Sequence, residues 1–234
     1  MDQFKKLEKN LGLTFKNRKF LEQALTHRSY LNEHPDFSGH HNERLEFLGD
    51  AVLEIIVTEY LYLNFPDTPE GDLTNWRASL VNAKMLYQLA KELAVEDYLL
   101  LSKGEAKDKN TKARQYILAN AFEAIIGAIY LDQGIALAKE FVIAHLIPKL
   151  NYILSHGLYL DPKSRFQEIA QEKEGITPVY KTLSEVGPDH EKLFTVGLYL
   201  GDELVAEGQG LSKQEAQVAA AAVGLENKGW KSYD

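Results

Sequence analysis

The sequence contains no cysteine, which excludes disulfides and thiolate metal sites and fits a reducing cytosol. No apolar run approaches the roughly 20 residues that a membrane-spanning helix needs, so no membrane partner is expected. The opening MDQFKKLEKN has no apolar core behind its charges, and no secretory signal is expected there. Positive charge is scarce as well. Twenty-six Lys and Arg stand against 34 Asp and Glu, a formal net charge of −8. Taken alone, that balance argues against a nucleic-acid partner. Proline is missing from residues 71–147, which removes the strongest helix breaker from a long stretch.

What is present is ordinary in bulk and patterned in detail. The 234 residues, 45% of them apolar, suffice for one large or two modest cores. Apolar residues recur at three and four spacing in Leu80, Met85, Leu86, Leu89 and Leu93, and again in Leu118, Phe122, Ile125, Ile126 and Ile129. Residues 42–63 form a third such stripe. This periodicity predicts a mostly helical N-terminal domain, with loops at HPDFSGHH, NFPDTPEGD and SKGEAKDKN. After Pro148 the pattern changes. Asp161-Pro162 is a helix start, with Asp at the N-cap and Pro in the first helical position. A short helix, SRFQEIAQEKEG, precedes strand-like pieces. Phe194, Val196, Leu198 and Leu200 alternate with the period of a half-buried strand. LVAEGQG is a further strand, and the alanine-rich SKQEAQVAAAAVGLENKG a closing helix. The order helix, three strands, helix predicts a second, small α+β domain.

The chemistry concentrates in NERLEFLGD, positions 42–50. On a helix Glu43, Glu46 and Asp50 share one face over about 10 Å of axis, with Phe47 close to it. A second helical segment, ILANAFEAIIGAIYLD, carries Asn120 and Glu123 one turn apart in almost uncharged surroundings. A carboxylate buried without a partner is costly. Several oxygen donors converging from two helices suit a hard divalent cation such as Mg²⁺ or Mn²⁺. Spacing alone leaves the commoner alternative open, that of a solvated acidic face.

HNERLEFLGDAVL closely resembles the signature of the ribonuclease III family, endonucleases of double-stranded RNA. ALTHRSY at 24–30, PEGDLTNWRASLVN at 69–82 and KARQYILANAFEAIIGAIYLDQG at 112–134 extend the likeness in the family's order. DPKSRFQEIAQ, GPDH and GQGLSKQEAQVAAA are similar to a double-stranded-RNA-binding domain. The resemblance implies an all-α endonuclease domain over residues 1–155, a linker at 156–160 and an α-β-β-β-α RNA-binding domain over 161–230. It implies Mg²⁺-dependent hydrolysis of duplex RNA to 5′-phosphate and 3′-hydroxyl ends, in a cytoplasmic homodimer that processes ribosomal-RNA precursors and other structured transcripts. By similarity Glu46, Asp50, Asn120 and Glu123 hold metal, Asp50 and Glu123 are catalytic, Glu43 lines the catalytic valley and Phe47 packs the dimer interface. Asn120 departs from the aspartate usual there. It removes one negative charge yet keeps a carbonyl oxygen as a ligand.

In the small domain the resemblance assigns minor-groove contacts to Gln167, Glu168, Pro188 and His190, and phosphate contacts to Ser212 and Lys213. Duplex RNA is held mainly by shape, through 2′-hydroxyls and phosphates. Residues 161–234 hold eight Lys and Arg against thirteen Asp and Glu, with Gln214 and Gln217 where relatives carry lysines. Weaker RNA binding with a shallower salt slope is therefore expected. Thr26, His27, Arg28 and Arg77 read as structural, and the basic loop around Lys103–Arg114 as a solvated one with a secondary option near phosphates.

Overall fold

The computed structural model describes residues 3–230 apart from 109–110, 156, 158, 160 and 189–191. It divides into two compact units, Met1–Tyr159 and Leu160–Asp234. His190 and part of the expected 156–160 linker lie outside the described residues.

The first unit is helical: α1 (Gln3–Leu11), α2 (Arg18–Leu25), α3 (Arg28–Glu33), α4 (Glu43–Asn64), α5 (Glu70–Leu80), α6 (Ala83–Glu92), a 3₁₀ turn at Val95–Tyr98, α7 (Lys103–Lys107), α8 (Lys112–Gln133), α9 (Ile135–His145) and α10 (Pro148–Ser155). Helix α8 is the axis of this unit. Its Leu118, Phe122, Ile125, Ile126 and Ile129 are fully buried, and α4, α6, α2 and α9 pack around it. Thr111 caps it, accepting the Arg114 N–H at 3.2 Å, and Gly134 ends it at φ 86°, a conformation glycine adopts at little cost. Glu43 and Glu46 in the first turn of α4 complement the positive end of its dipole. Among the described residues no helix is long and apolar enough to cross a membrane.

The helical reading holds, and the structure refines it in two places. The stripe Leu80–Leu93 is divided between helices: α5 ends at Leu80, and Asn82 caps α6 by accepting the Met85 N–H at 2.9 Å. The loops are also shorter than composition suggests. Glu70–Asp72 already belong to α5, and SKGEAKDKN contains the short helix α7, capped by Ser102.

The second unit runs α11 (Pro162–Glu174), β1 (Val179–Val186), β2 (Leu193–Leu200), β3 (Glu203–Gly210) and α12 (Lys213–Asn227). The strands form an antiparallel sheet in the order β1-β2-β3. Asp161 caps α11, accepting the Ser164 N–H at 3.1 Å, with Pro162 in the first turn. Phe166, Leu198, Leu200, Ala220, Ala221 and Leu225 are among the residues of a core separate from that of the first unit. The alanines of α12 have a steric cause. A Cβ on Gly208 of β3 would lie 2.1 Å from the backbone N of Ala220, so helix and strand touch with little between them.

Candidate catalytic site and RNA-binding surface

The acidic site exists because α4 and α8 meet through glycines. A Cβ on Gly49 would lie 1.8 Å from the carbonyl oxygen of Glu123, and one on Gly127 would lie 2.3 Å from that of Leu45. Real Cβ atoms essentially never come within 3.0 Å of a neighbour. The two backbones therefore touch, and the side chains one turn away on each helix are brought together. Sequence reasoning passed over both glycines. Their signal was available: glycine inside a helix costs about 1 kcal/mol relative to alanine, so two in apolar helices call for a packing reason.

Four of the residues singled out by sequence converge here. Asn120 hydrogen-bonds the Glu46 carboxylate, while Glu46, Asp50 and Glu123 feel one another's charge. Burial first, then the charges on Asp50 and Glu46, push the Glu123 carboxyl up to about 8. Burial also raises Glu46, against the Asn120 hydrogen bond, and Glu43 and Asp50 raise it further. Asp50 is exposed, and Glu46, Asn120 and Glu123 are half-buried, which leaves the group accessible. Among the described residues no three Asp, Glu or His side chains are placed so that they alone could hold a metal ion. The donor set is entirely oxygen, three carboxylates and an amide, and suits a hard divalent cation.

Glu43 stands at the head of the stripe in an exposed cluster, 3.5 Å from Arg28 Nη1 and 3.8 Å from His41 Nδ1. Phe47 is 81% exposed, which rules out an intramolecular core role. It borders a hollow lined by His40, His41, Arg44, Leu45, Leu48 and Leu131, among others. His27 caps α3 by accepting the Ser29 N–H, and burial lowers its pKa. Thr26 is fully buried. Arg77 donates to Thr58 Oγ1 at 3.0 Å and lies 3.6 Å from Glu54. Arg114, at the end of the basic loop, is buried and ion-paired with Glu96 at 3.1 Å, so it belongs to the framework.

In the second unit Gln167 and Glu168 are exposed on α11, and Pro188 is exposed beyond β1. Ser212 caps α12, accepting the Glu215 N–H at 3.1 Å. Lys213, in the first turn, is ion-paired with Glu185 at 2.8 Å. Gln217 accepts a hydrogen bond from Lys163 at 2.7 Å and so ties α12 to α11; it is more than a lysine position left neutral.

Comparison with known proteins agrees with this architecture. Residues 17–150 match the family model described as Ribonuclease-III-like, and residues 162–228 match the double-stranded RNA binding motif. The chain is 46% identical over 220 residues to Ribonuclease 3 of Carboxydothermus hydrogenoformans, covering 94% of this chain and 93% of that one. It is 43% identical over 222 residues to Ribonuclease 3 of Enterococcus faecalis, covering 94% and 95%. The solved nuclease domain of Ribonuclease III from Campylobacter jejuni, described with structural flexibility in a region involved in dimer formation, superposes with a TM-score of 0.56 at 41% identity, covering 62% of this chain and 96% of that one. A helical unit whose acids meet across two glycines, followed by an α-β-β-β-α unit and similar to these relatives over almost its whole length, belongs to the ribonuclease III family of double-stranded-RNA endoribonucleases.

Proposed function

We propose that the α4–α8 site hydrolyses phosphodiester bonds of duplex RNA with Mg²⁺ (or Mn²⁺ in its place), leaving 5′-phosphate and 3′-hydroxyl ends. The single observation behind this reading is the convergence of Glu46, Asp50, Asn120 and Glu123 where Gly49 and Gly127 bring the helices into contact. Those four residues would hold the ion, with Asp50 and Glu123 beside the reacting phosphate. When bound, the cation supplies a water of lowered pKa and compensates charge on the phosphate. In the reaction a water oxygen bonds to phosphorus, the P–O3′ bond breaks and O3′ takes the proton. Asn120 positions Glu46 through its hydrogen bond and offers a neutral carbonyl oxygen. Glu123, raised to about 8, binds a proton near neutral pH when no cation is present, so proton and metal compete for it.

The working form is a homodimer in this reading. Phe47 is an exposed aromatic beside an apolar-floored hollow, and a two-fold axis would bury each copy's Phe47 against the other. Glu43 would then lie at the mouth of a shared valley. The second unit holds the duplex through Gln167, Glu168, Pro188, His190, Ser212 and Lys213. Ribosomal-RNA precursors and other structured cytoplasmic transcripts are the proposed substrates. The test is a gel assay of a long perfect RNA duplex with Mg²⁺ at low salt. Discrete shortened duplexes should form with the natural protein and fail to form with Glu123→Ala. Binding without cutting would indicate a non-catalytic RNA-binding protein, and recovery of cutting by Asn120→Asp would identify the missing charge as the cause.

A further inference from the structure

Lys213 opens α12, where free backbone N–H groups and the helix dipole already favour a phosphate. Its ammonium is nevertheless engaged. Nζ lies 2.8 Å from Oε1 of Glu185, near the end of β1, and 5.6 Å from the centre of the Phe194 ring. Lys192, just before β2, stands 3.8 Å from the other oxygen of the same carboxylate. One acidic group thus gathers two lysines from separate segments, presenting two anionic oxygens as a phosphate does. The hydrogen bond from Lys213 holds the Glu185 carboxyl below the usual range, so it remains an anion wherever RNA binding is measured. This happens in a unit where thirteen acids already outnumber eight bases.

We infer that Glu185 competes intramolecularly with RNA phosphate, occupying Lys213 and Lys192 in the free protein and releasing them only to a duplex. The inference rests on the reading that Lys213 contacts phosphate. It gives a cause, beyond the small number of lysines, for a shallow salt dependence. Salt weakens the protein–RNA contact, but it also weakens the pair that competes with it, so the two effects partly cancel.

The test measures binding of a short RNA duplex to the full chain in EDTA, as a function of salt. The proteins are the natural chain, Glu185→Gln, Lys213→Ala, the double variant, and Glu207→Gln, which removes the same charge from the far strand of the sheet. Glu185→Gln should bind roughly two- to fivefold more tightly at low salt, with a salt slope steeper by about 1. Glu207→Gln should gain less, and the gain from Glu185→Gln should fall by at least half in the Lys213→Ala background. Unchanged or weaker binding by Glu185→Gln overturns the inference, as does a gain equal to that of Glu207→Gln or one that Lys213→Ala leaves undiminished. If Lys213→Ala itself changes neither affinity nor slope, the phosphate-contact reading fails. If Lys213→Ala weakens binding while Glu185→Gln is neutral, only the competition fails.

Discussion

Replacing Gly49 with alanine should separate the acids of the α4–α8 site without touching one of them. The new Cβ would begin 1.8 Å from the Glu123 carbonyl oxygen, where ordinary contact begins at 3.4 Å. The obstacle is backbone in the middle of a buried helix, so no side-chain rotation relieves it. Helix α4 must retreat from α8 by about 1.5 Å, carrying Glu46 and Asp50 away from Asn120 and Glu123. Mg²⁺ demands near-octahedral oxygens at about 2.0–2.1 Å, and a displacement of about 1 Å can cost a hundredfold in rate. Overpacking should cost about 1–3 kcal/mol, less up to about 1 kcal/mol returned by alanine's better helix propensity. Chemical denaturation should therefore show a lowered midpoint, and cleavage at saturating Mg²⁺ should fall by about a hundredfold or more. Duplex binding in EDTA should change little, because the second unit has its own core. Gly127→Ala meets the Leu45 carbonyl at 2.3 Å and should behave alike. The double variant should lose less than the sum, since both substitutions part the same helices. Stability within about 0.5 kcal/mol of the natural chain together with full cleavage by Gly49→Ala would refute the reasoning.

Three further outcomes follow from the same structure. With Glu123 at about 8 in the folded chain against 4.5 unfolded, the folded state binds the extra proton. The metal-free protein should lose stability as pH rises from about 4.5 to 8, and Mg²⁺ should raise Tm more at pH 8.5 than at pH 5.5; an equal gain at both would count against the raised carboxyl. Asn120→Asp adds a fourth negative charge beside Glu46 and should tighten Mg²⁺ binding while lowering metal-free stability at pH 8, both readable by titration calorimetry and thermal melting. Glu96→Gln strands the Arg114 guanidinium, which is 4% exposed, and should cost about 3 kcal/mol in denaturant unfolding; a change below about 0.5 kcal/mol would show that the pair is replaceable.

How far the sequence can be read depends on the range over which each signal acts. The stripe of Glu43, Glu46 and Asp50 is visible in spacing because a helix converts sequence intervals of three and four into one face. The cap at Asp161 is visible because the N-cap and first helical positions are adjacent. The division of the Leu80–Leu93 stripe is harder to see, since apolar periodicity continues across it and only Asn82, a good cap, argues for a break. Hardest are the contacts set by packing between distant segments. The pairing of Glu185 with Lys213 needs the sheet register that carries the end of β1 to the start of α12. The convergence of the acids needs two helices separated by residues 65–111 to choose each other's glycine face. The acids cannot make that choice, because they repel. Gly49 and Gly127 make it, permitting a backbone approach that a Cβ at either position would block. The residues that position the chemistry are thus the ones with no side chain, which is why a search for chemical groups finds the acids and misses the cause of their meeting.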